Sequence, residues 1–212
     1  MSPSALNRWW LRPEIRFAAT LILLFLIAQP SDPWTFHHFT FPGIYARGWG
    51  RMLRLAGYFP LWSIVALALV LHDWVPRTLP SLLGASRRGL LLFWSAALGG
   101  IVAELLKLAF RRERPGLTNG VHVFRSWSEQ PLSTAQLGLP SSEVAVAFAA
   151  AAALARLFPD AWLLWYTVAV GCALTRVASG AHFMSDVILG ALVGYITALI
   201  LWPRQRHGAK SG

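Results

Sequence analysis

Three residues near the C-terminus, Arg176, His182 and Asp186, stand in an Arg-x5-His-x3-Asp pattern. His182 and Asp186 are four apart, so a helix places them on one face. A carboxylate holding an imidazole, beside a guanidinium that can grip an anion, suits a histidine nucleophile for phosphoryl transfer. A second pattern lies upstream: Lys107, six residues, then Arg114 and Pro115. Seven residues make two helical turns, so both cations face one side if the helix continues. Pro115 fits a helix ending there, because it disfavours helical geometry in its predecessor. Two such cations form an anion clamp, and the arginine fork adds bidentate geometry suited to phosphate. Alone, this pair reads as a snorkelling lysine and a solvated basic loop. Both patterns together, in order and at the ends of apolar runs, point to a phosphate site.

The elements that position these residues are apolar. The 212 residues are 56% hydrophobic and 13% charged, against about 25% charged in soluble domains. The expectation is one all-α domain over 1–212, a polytopic membrane protein built as a bundle of six transmembrane helices, with apolar runs at 15–30, 58–75, 88–106, 142–158, 161–178 and 183–202. Several of the eleven tryptophans, among them Trp9, Trp10, Trp34, Trp74 and Trp202, lie near run ends, as interfacial anchors do. Residues 31–57 are too polar to span and read as an interfacial amphipathic helix or loop with Arg47, Arg51 and Arg54. Residues 115–140 form the longest expected loop. Gly190, Gly194 and the alanines from Ala149 to Ala153 suit close helix packing inside the bundle.

The net charge is +10, from 19 Lys and Arg against 9 Asp and Glu. These charges lie between apolar runs rather than on a water-facing patch, which argues for a bilayer surface and against nucleic acid. The first run has no small-x-small cleavage site after it and reads as an uncleaved helix. With six spans both termini share a side. Setting aside Lys107, Arg114 and Arg176, which belong to the two patterns, the terminal side carries ten basic residues and the other six. That bias predicts cytoplasmic termini and an outward or periplasmic site in the cell (inner) membrane. Cys172 is the only cysteine, so no intrachain disulfide forms.

On Lys107 to Pro115 and Thr175 to Asp186 the chain resembles the type 2 phosphatidic acid phosphatase (PAP2) superfamily, whose signature is Lys-x6-Arg-Pro, Pro-Ser-Gly-His and Ser-Arg-x5-His-x3-Asp. Thr175 replaces the serine of the third block. The six-span layout is similar to the integral membrane branch. The resemblance implies a lipid phosphatase that hydrolyses a phosphate or diphosphate monoester of a lipid through phosphohistidine. His182 would be nucleophile, Asp186 its orienting carboxylate, and Lys107, Arg114 and Arg176 the phosphate clamp. Ser141, Ser142 and the backbone N–H groups at the start of the fourth span would complete the cradle. Expected partners are a lipid phosphate and membrane lipids. No cofactor or metal is expected, since the cationic side chains supply the charge. The oligomeric state is not legible.

The middle block departs from the signature: it reads Pro140-Ser141-Ser142-Glu143, with Glu143 where the family has histidine. The resemblance implies that this histidine donates a proton to the leaving oxygen. A glutamate ordinarily titrates near ~4.3, whereas a general acid works best near the operating pH. Three readings of Glu143 stay open: a replacement acid, a helix-start residue complementing the dipole with Ser141 as cap, or the mark of an impaired or repurposed site. His122 could supply the proton instead, and is otherwise a plain loop histidine. Glu104, three before Lys107, reads as its ion-pair partner or as a residue orienting it. Arg111, Arg112 and Arg125 suggest a headgroup with more than one negative charge, or simply surface-lipid binding. Phosphatase, phosphotransferase and non-catalytic lipid-phosphate binding all remain as functions.

Overall fold

The structure, a computed structural model, describes residues 12–41, 43–74 and 79–202, with the backbone alone for 79–86. Arg8, Arg77, Arg204, Arg206 and Lys210, which bear on the orientation, and Trp9 and Trp10 lie outside the described residues.

The described chain is helical. It runs α1 (Pro13–Phe39), α2 (Gly48–Leu55), α3 (Phe59–Asp73), α4 (Leu79–Phe110), α5 (Pro115–Thr118), α6 (Ser142–Leu157), α7 (Trp162–Ala178) and α8 (Met184–Leu201). Among the described residues, four stretches are long and apolar enough to cross a membrane: Pro13–Phe39, Arg87–Phe110, Pro159–Ala178 and Met184–Leu201. A fifth qualifies if α2 and α3, bent by 61°, count as one broken span. The protein is therefore an integral membrane protein. The expected six is not reached on length, because α6 has 16 residues and rises about 24 Å, short of the ~30 Å hydrocarbon core.

The helix α6 is central rather than lipid-facing. Every residue from Val144 to Leu154 is buried, and α6 packs against α4, α7 and α8. A helix apolar all round belongs in a core, and its five consecutive alanines let neighbours approach closely. The glycines of α8 carry this further. A Cβ on Gly194 would lie 2.1 Å from the Ala145 carbonyl oxygen, and one on Gly190 2.5 Å from that of Ser141. Backbone therefore meets backbone where α8 crosses the start of α6, which is the segment that carries the middle motif.

Two expectations change. Residues 31–39 are not an interfacial loop but the last turns of α1, which continues through Pro30 and Pro33. Their register is fixed by burial of Asp32 and Thr35. Only Gly48–Leu55, a short polar-and-apolar helix packed against α7, matches the expected interfacial helix. Lys107 and Arg114 do not share one helix either: α4 stops at Phe110 and Arg111 turns left-handed, with φ 56°.

Gly194→Val should lower the thermal unfolding midpoint in detergent by the equivalent of about 1–3 kcal/mol. Gly48→Ala, whose added Cβ meets nothing within 4 Å, should move it little. Trp fluorescence during a thermal ramp checks both.

Candidate active site

The last turn of α4, the start of α6, the end of α7 and the start of α8 gather the two sequence patterns. His182 lies in the turn between α7 and α8 and is buried. Its Nδ1 is 3.0 Å from the Gly138 carbonyl oxygen and 3.4 Å from Asp186 Oδ2. A carbonyl and a carboxylate can only accept, so Nδ1 carries the proton of the neutral ring and Nε2 keeps its lone pair. Gly138 is a residue that sequence reasoning missed. A Cβ there would lie 2.8 Å from Asp186 Oδ2, so a side chain would push the carbonyl away. Burial drives the imidazole down to about 4, outweighing the upward pull of Asp186, and the charges of Arg176 and Arg114 add to the fall. An imidazole so held is neutral at physiological pH.

Lys107, Arg114 and Arg176, expected as a clamp, lie near one another. Lys107 Nζ donates to Glu104 Oε1 at 2.7 Å and to Ser142 Oγ at 3.0 Å, so Glu104 is its ion-pair partner. Arg114 arrives on extended backbone at the start of α5, its Nε 3.4 Å from the Leu137 carbonyl oxygen. Its guanidinium is pushed down by burial and then by the like charge of Arg176 beside it. Two guanidiniums held together in this way favour an anion between them. Arg176 donates from Nη1 to Tyr45 Oη at 3.1 Å, and Tyr45 donates to the Thr175 carbonyl oxygen at 3.2 Å. Ser141 does not cap α6 with its side chain: its buried Oγ has no hydrogen-bond partner. The orphan N–H groups of the first turn of α6 lie next to it.

Glu143 is committed. Arg54, from α2, grips it with Nε 3.2 Å from Oε2 and Nη2 3.1 Å from Oε1, and Arg176 Nε is 3.3 Å from Oε2. Arg54 also lies over the Tyr45 ring, 4.9 Å from its centre. Neither Arg54 nor Tyr45 was singled out from the sequence as a site residue.

Behind the site runs a buried charge network that sequence reasoning also missed. Arg112 pairs with Asp186, and its Nη1 is 3.5 Å from Asp32 Oδ2. It donates further to Ser185 Oγ at 2.6 Å and to Gln29 Oε1 at 3.0 Å. Asp32 accepts from the Ser185 N–H at 3.0 Å and from the Ser185 hydroxyl, and lies 3.1 Å from His122 Nε2. His122 is thus bound to Asp32, edge-on to Phe183. Arg111 donates to the carbonyls of Arg125, Ser126, Glu129 and Pro131 and cinches the loop before α6. Arg125 pairs with Glu113 at 3.1 Å. These three arginines are spent on the fold, not offered to a headgroup. Among the described residues no group of three His, Cys, Asp or Glu side chains is placed to hold a metal ion.

A cavity of about 610 Å³ opens beside the clamp. Glu104, Ser142 and Glu143 line its polar end, and Phe59, Ala96, Gly100, Ile101 and Leu105 its apolar wall between α3 and α4. His182 is not in its lining, so the cavity meets the site at the clamp rather than at the imidazole.

Residues 88–207 match the model of the PAP2 superfamily. Two curated relatives are named lipid A 1-phosphatase, one from Rhizobium johnstonii and one from Rhizobium etli. Each is 36% identical over 108 residues, half of this chain, and the match covers 43% and 45% of the relatives. The chain therefore spans less than half the length of these relatives. No solved structure matches.

Arg112→Met leaves the buried carboxylates Asp32 and Asp186 without their shared cation, and should cost about 3–5 kcal/mol. Arg88→Met breaks a half-buried pair with Asp73 whose guanidinium still reaches solvent, and should cost only about 1 kcal/mol. Thermal unfolding in detergent compares the two.

Proposed function

The chain belongs to the PAP2 superfamily, and on that premise we propose that it removes a phosphate group from a membrane lipid through a phosphohistidine formed on His182. The observation that carries this reading is a buried, neutral imidazole with its Nδ1 proton held from behind and two arginine charges beside it.

The lipid lies with its tail along the cavity between α3 and α4 and its phosphate among Lys107, Arg114 and Arg176. These cations neutralise the phosphoryl oxygens as charge redistributes in the transition state. The N–H groups at the start of α6 and the unpartnered Ser141 hydroxyl add donors. Nε2 of His182 attacks phosphorus in line with the departing oxygen. Positive charge then develops on the ring, and the Gly138 carbonyl and Asp186 stabilise it through the Nδ1 proton. Water next attacks the phosphohistidine, the P–N bond breaks back onto Nε2, and phosphate leaves. Binding requires Arg176, and Arg54 with it, to exchange Glu143 for phosphate oxygens.

The bundle serves this chemistry as a six-helix arrangement in which α6 is sheathed by α4, α7 and α8 and so needs no full span of its own. The count of basic residues supports cytoplasmic termini and an outward-facing site in the cell (inner) membrane. The rhizobial relatives' names put lipid A among the substrates to try.

Purified protein in detergent should release phosphate from at least one of lipid A, phosphatidic acid, phosphatidylglycerol phosphate and a polyprenyl diphosphate. His182→Ala should lower that release by about 10³-fold or more. Binding without release would make the chain a lipid-phosphate receptor, and labelled lipid acceptor a phosphotransferase. The pH profile should carry the same signature. His182 is nucleophilic only when neutral, and its pKa is about 4 rather than 6.5. With the substrate's own titration divided out, activity should hold from neutral pH down to about pH 5 and fall as pH drops through about 4.

A further inference from the structure

If the site works as proposed, one chemical need is met by no side chain around it among the described residues. As His182 Nε2 attacks, the bond from phosphorus to the departing oxygen breaks and its electron pair stays on that oxygen. The alkoxide of an alkyl phosphate is a strong base and calls for a proton in the transition state, help typically worth about 10²–10⁴-fold. Glu143 accepts two hydrogen bonds from Arg54 and has the Arg176 charge 3.3 Å away, and a carboxylate between two such cations accepts protons rather than giving them. Glu104 is bound to Lys107 and His122 to Asp32. What is left is guanidiniums, a clasped ammonium, serine hydroxyls and the phenols of Tyr45 and Tyr58, the first already donating to the Thr175 carbonyl oxygen. Protons on groups of these kinds ordinarily come off well above neutral pH.

A recess of about 380 Å³ adjoins Glu143, lined by Arg51, Arg54, Leu55, Gly57 and Tyr58. The clamp of Lys107, Arg114 and Arg176 suffices for one phosphoryl group. Arg51 and Arg54 offer room and cations for another.

We infer that the site is specialised for a lipid diphosphate, whose bridging oxygen leaves as a stable phosphate anion, rather than for a simple alkyl phosphate. The terminal phosphoryl group passes to Nε2. The P–O bond to the bridging oxygen breaks, and the pair stays on the lipid phosphate, which takes no proton from the protein. Water then attacks the phosphohistidine, the P–N pair returns to Nε2, and the proton lost by water goes to bulk solvent. Arg51 and Arg54 hold the retained phosphate, and Glu143 keeps this basic edge neutralised until the substrate arrives. This inference rests on the phosphatase reading above.

The test uses wild-type protein in detergent with dodecyl diphosphate and dodecyl phosphate, which share one tail. The kcat/KM for phosphate release should be at least about 100-fold higher for the diphosphate. Glu143→His places a group that titrates near neutral at the leaving side, and should narrow that ratio about tenfold or more by raising turnover of the alkyl phosphate. Arg51→Ala should raise KM for the diphosphate more than for the monophosphate. A wild-type ratio near one overturns the inference and leaves the phosphatase reading standing. So does a Glu143→Gln variant that loses alkyl phosphate turnover selectively, since Glu143 is then the acid. Release from neither substrate overturns both.

Discussion

The site depends on one buried cation. Arg112 sits between Asp32 and Asp186, and all three side chains are at most 1% exposed. Two carboxylates that close, out of water, repel each other and are costly to desolvate; a guanidinium shared between them removes both penalties. The consequence is geometric. Asp32 belongs to α1, Arg112 to the turn after α4 and Asp186 to the first turn of α8, so neutralising the charge fixes where three elements meet. Asp186 Oδ2 is left to accept from the Phe183 N–H at 2.9 Å and to face His182. The carboxylate that steadies the imidazole is thus itself steadied from behind, and through it α1 bears on the His182 ring.

Ahead of the imidazole the balance is reversed. Lys107, Arg114, Arg176 and Arg54 gather around an edge where Glu143 and Glu104 supply the carboxylate contacts. Each glutamate holds a cation in place while leaving it exchangeable. Glu104 tethers Lys107 through an i, i+3 pair, and Glu143 bridges a guanidinium from α2 to one from α7. Without them, several cations packed in a low-dielectric pocket would repel one another and splay the helices apart. Under the proposed function, an arriving phosphate would replace one set of charge-assisted contacts with another, so the site would be pre-organised at modest electrostatic cost.

How much of this could be read from the sequence follows from distance along the chain. The Arg-x5-His-x3-Asp spacing and the Lys-x6-Arg spacing are local, so they were legible, and so was the apolar helical bundle. Arg112 and Asp186 are 74 residues apart, Ser185 and Asp32 153, and Arg54 and Glu143 89. Such pairs exist only once the bundle closes, and no periodicity announces them. Arg111 and Arg112 looked like headgroup ligands because basic residues beside an apolar run ordinarily face water or lipid. Burial spends them instead, one on loop carbonyls and one on two carboxylates. The length of α6 misled in the opposite direction. An apolar run bounded by polar residues reads as a span, but composition cannot tell a helix that faces lipid from one sheathed by other helices.

That sheathing explains why the middle motif can be held so closely. The first turn of α6 carries Ser141, Ser142 and Glu143, and α8 carries His182's partner Asp186. If α8 had side chains at 190 and 194, its axis would have to withdraw from α6, because a Cβ at either position would collide with a backbone carbonyl. The Ser141 N–H donates to the Asp186 carbonyl oxygen at 3.0 Å, a bond that tolerates no such withdrawal. The alanine stretch of α6 does the same for α4, where a Cβ on Gly99 would lie 2.9 Å from Ala149 Cβ. Small residues in the middle of the bundle therefore set the spacing of charged residues at its end. A site made of long, flexible cations gains its precision from the shortest side chains in the protein.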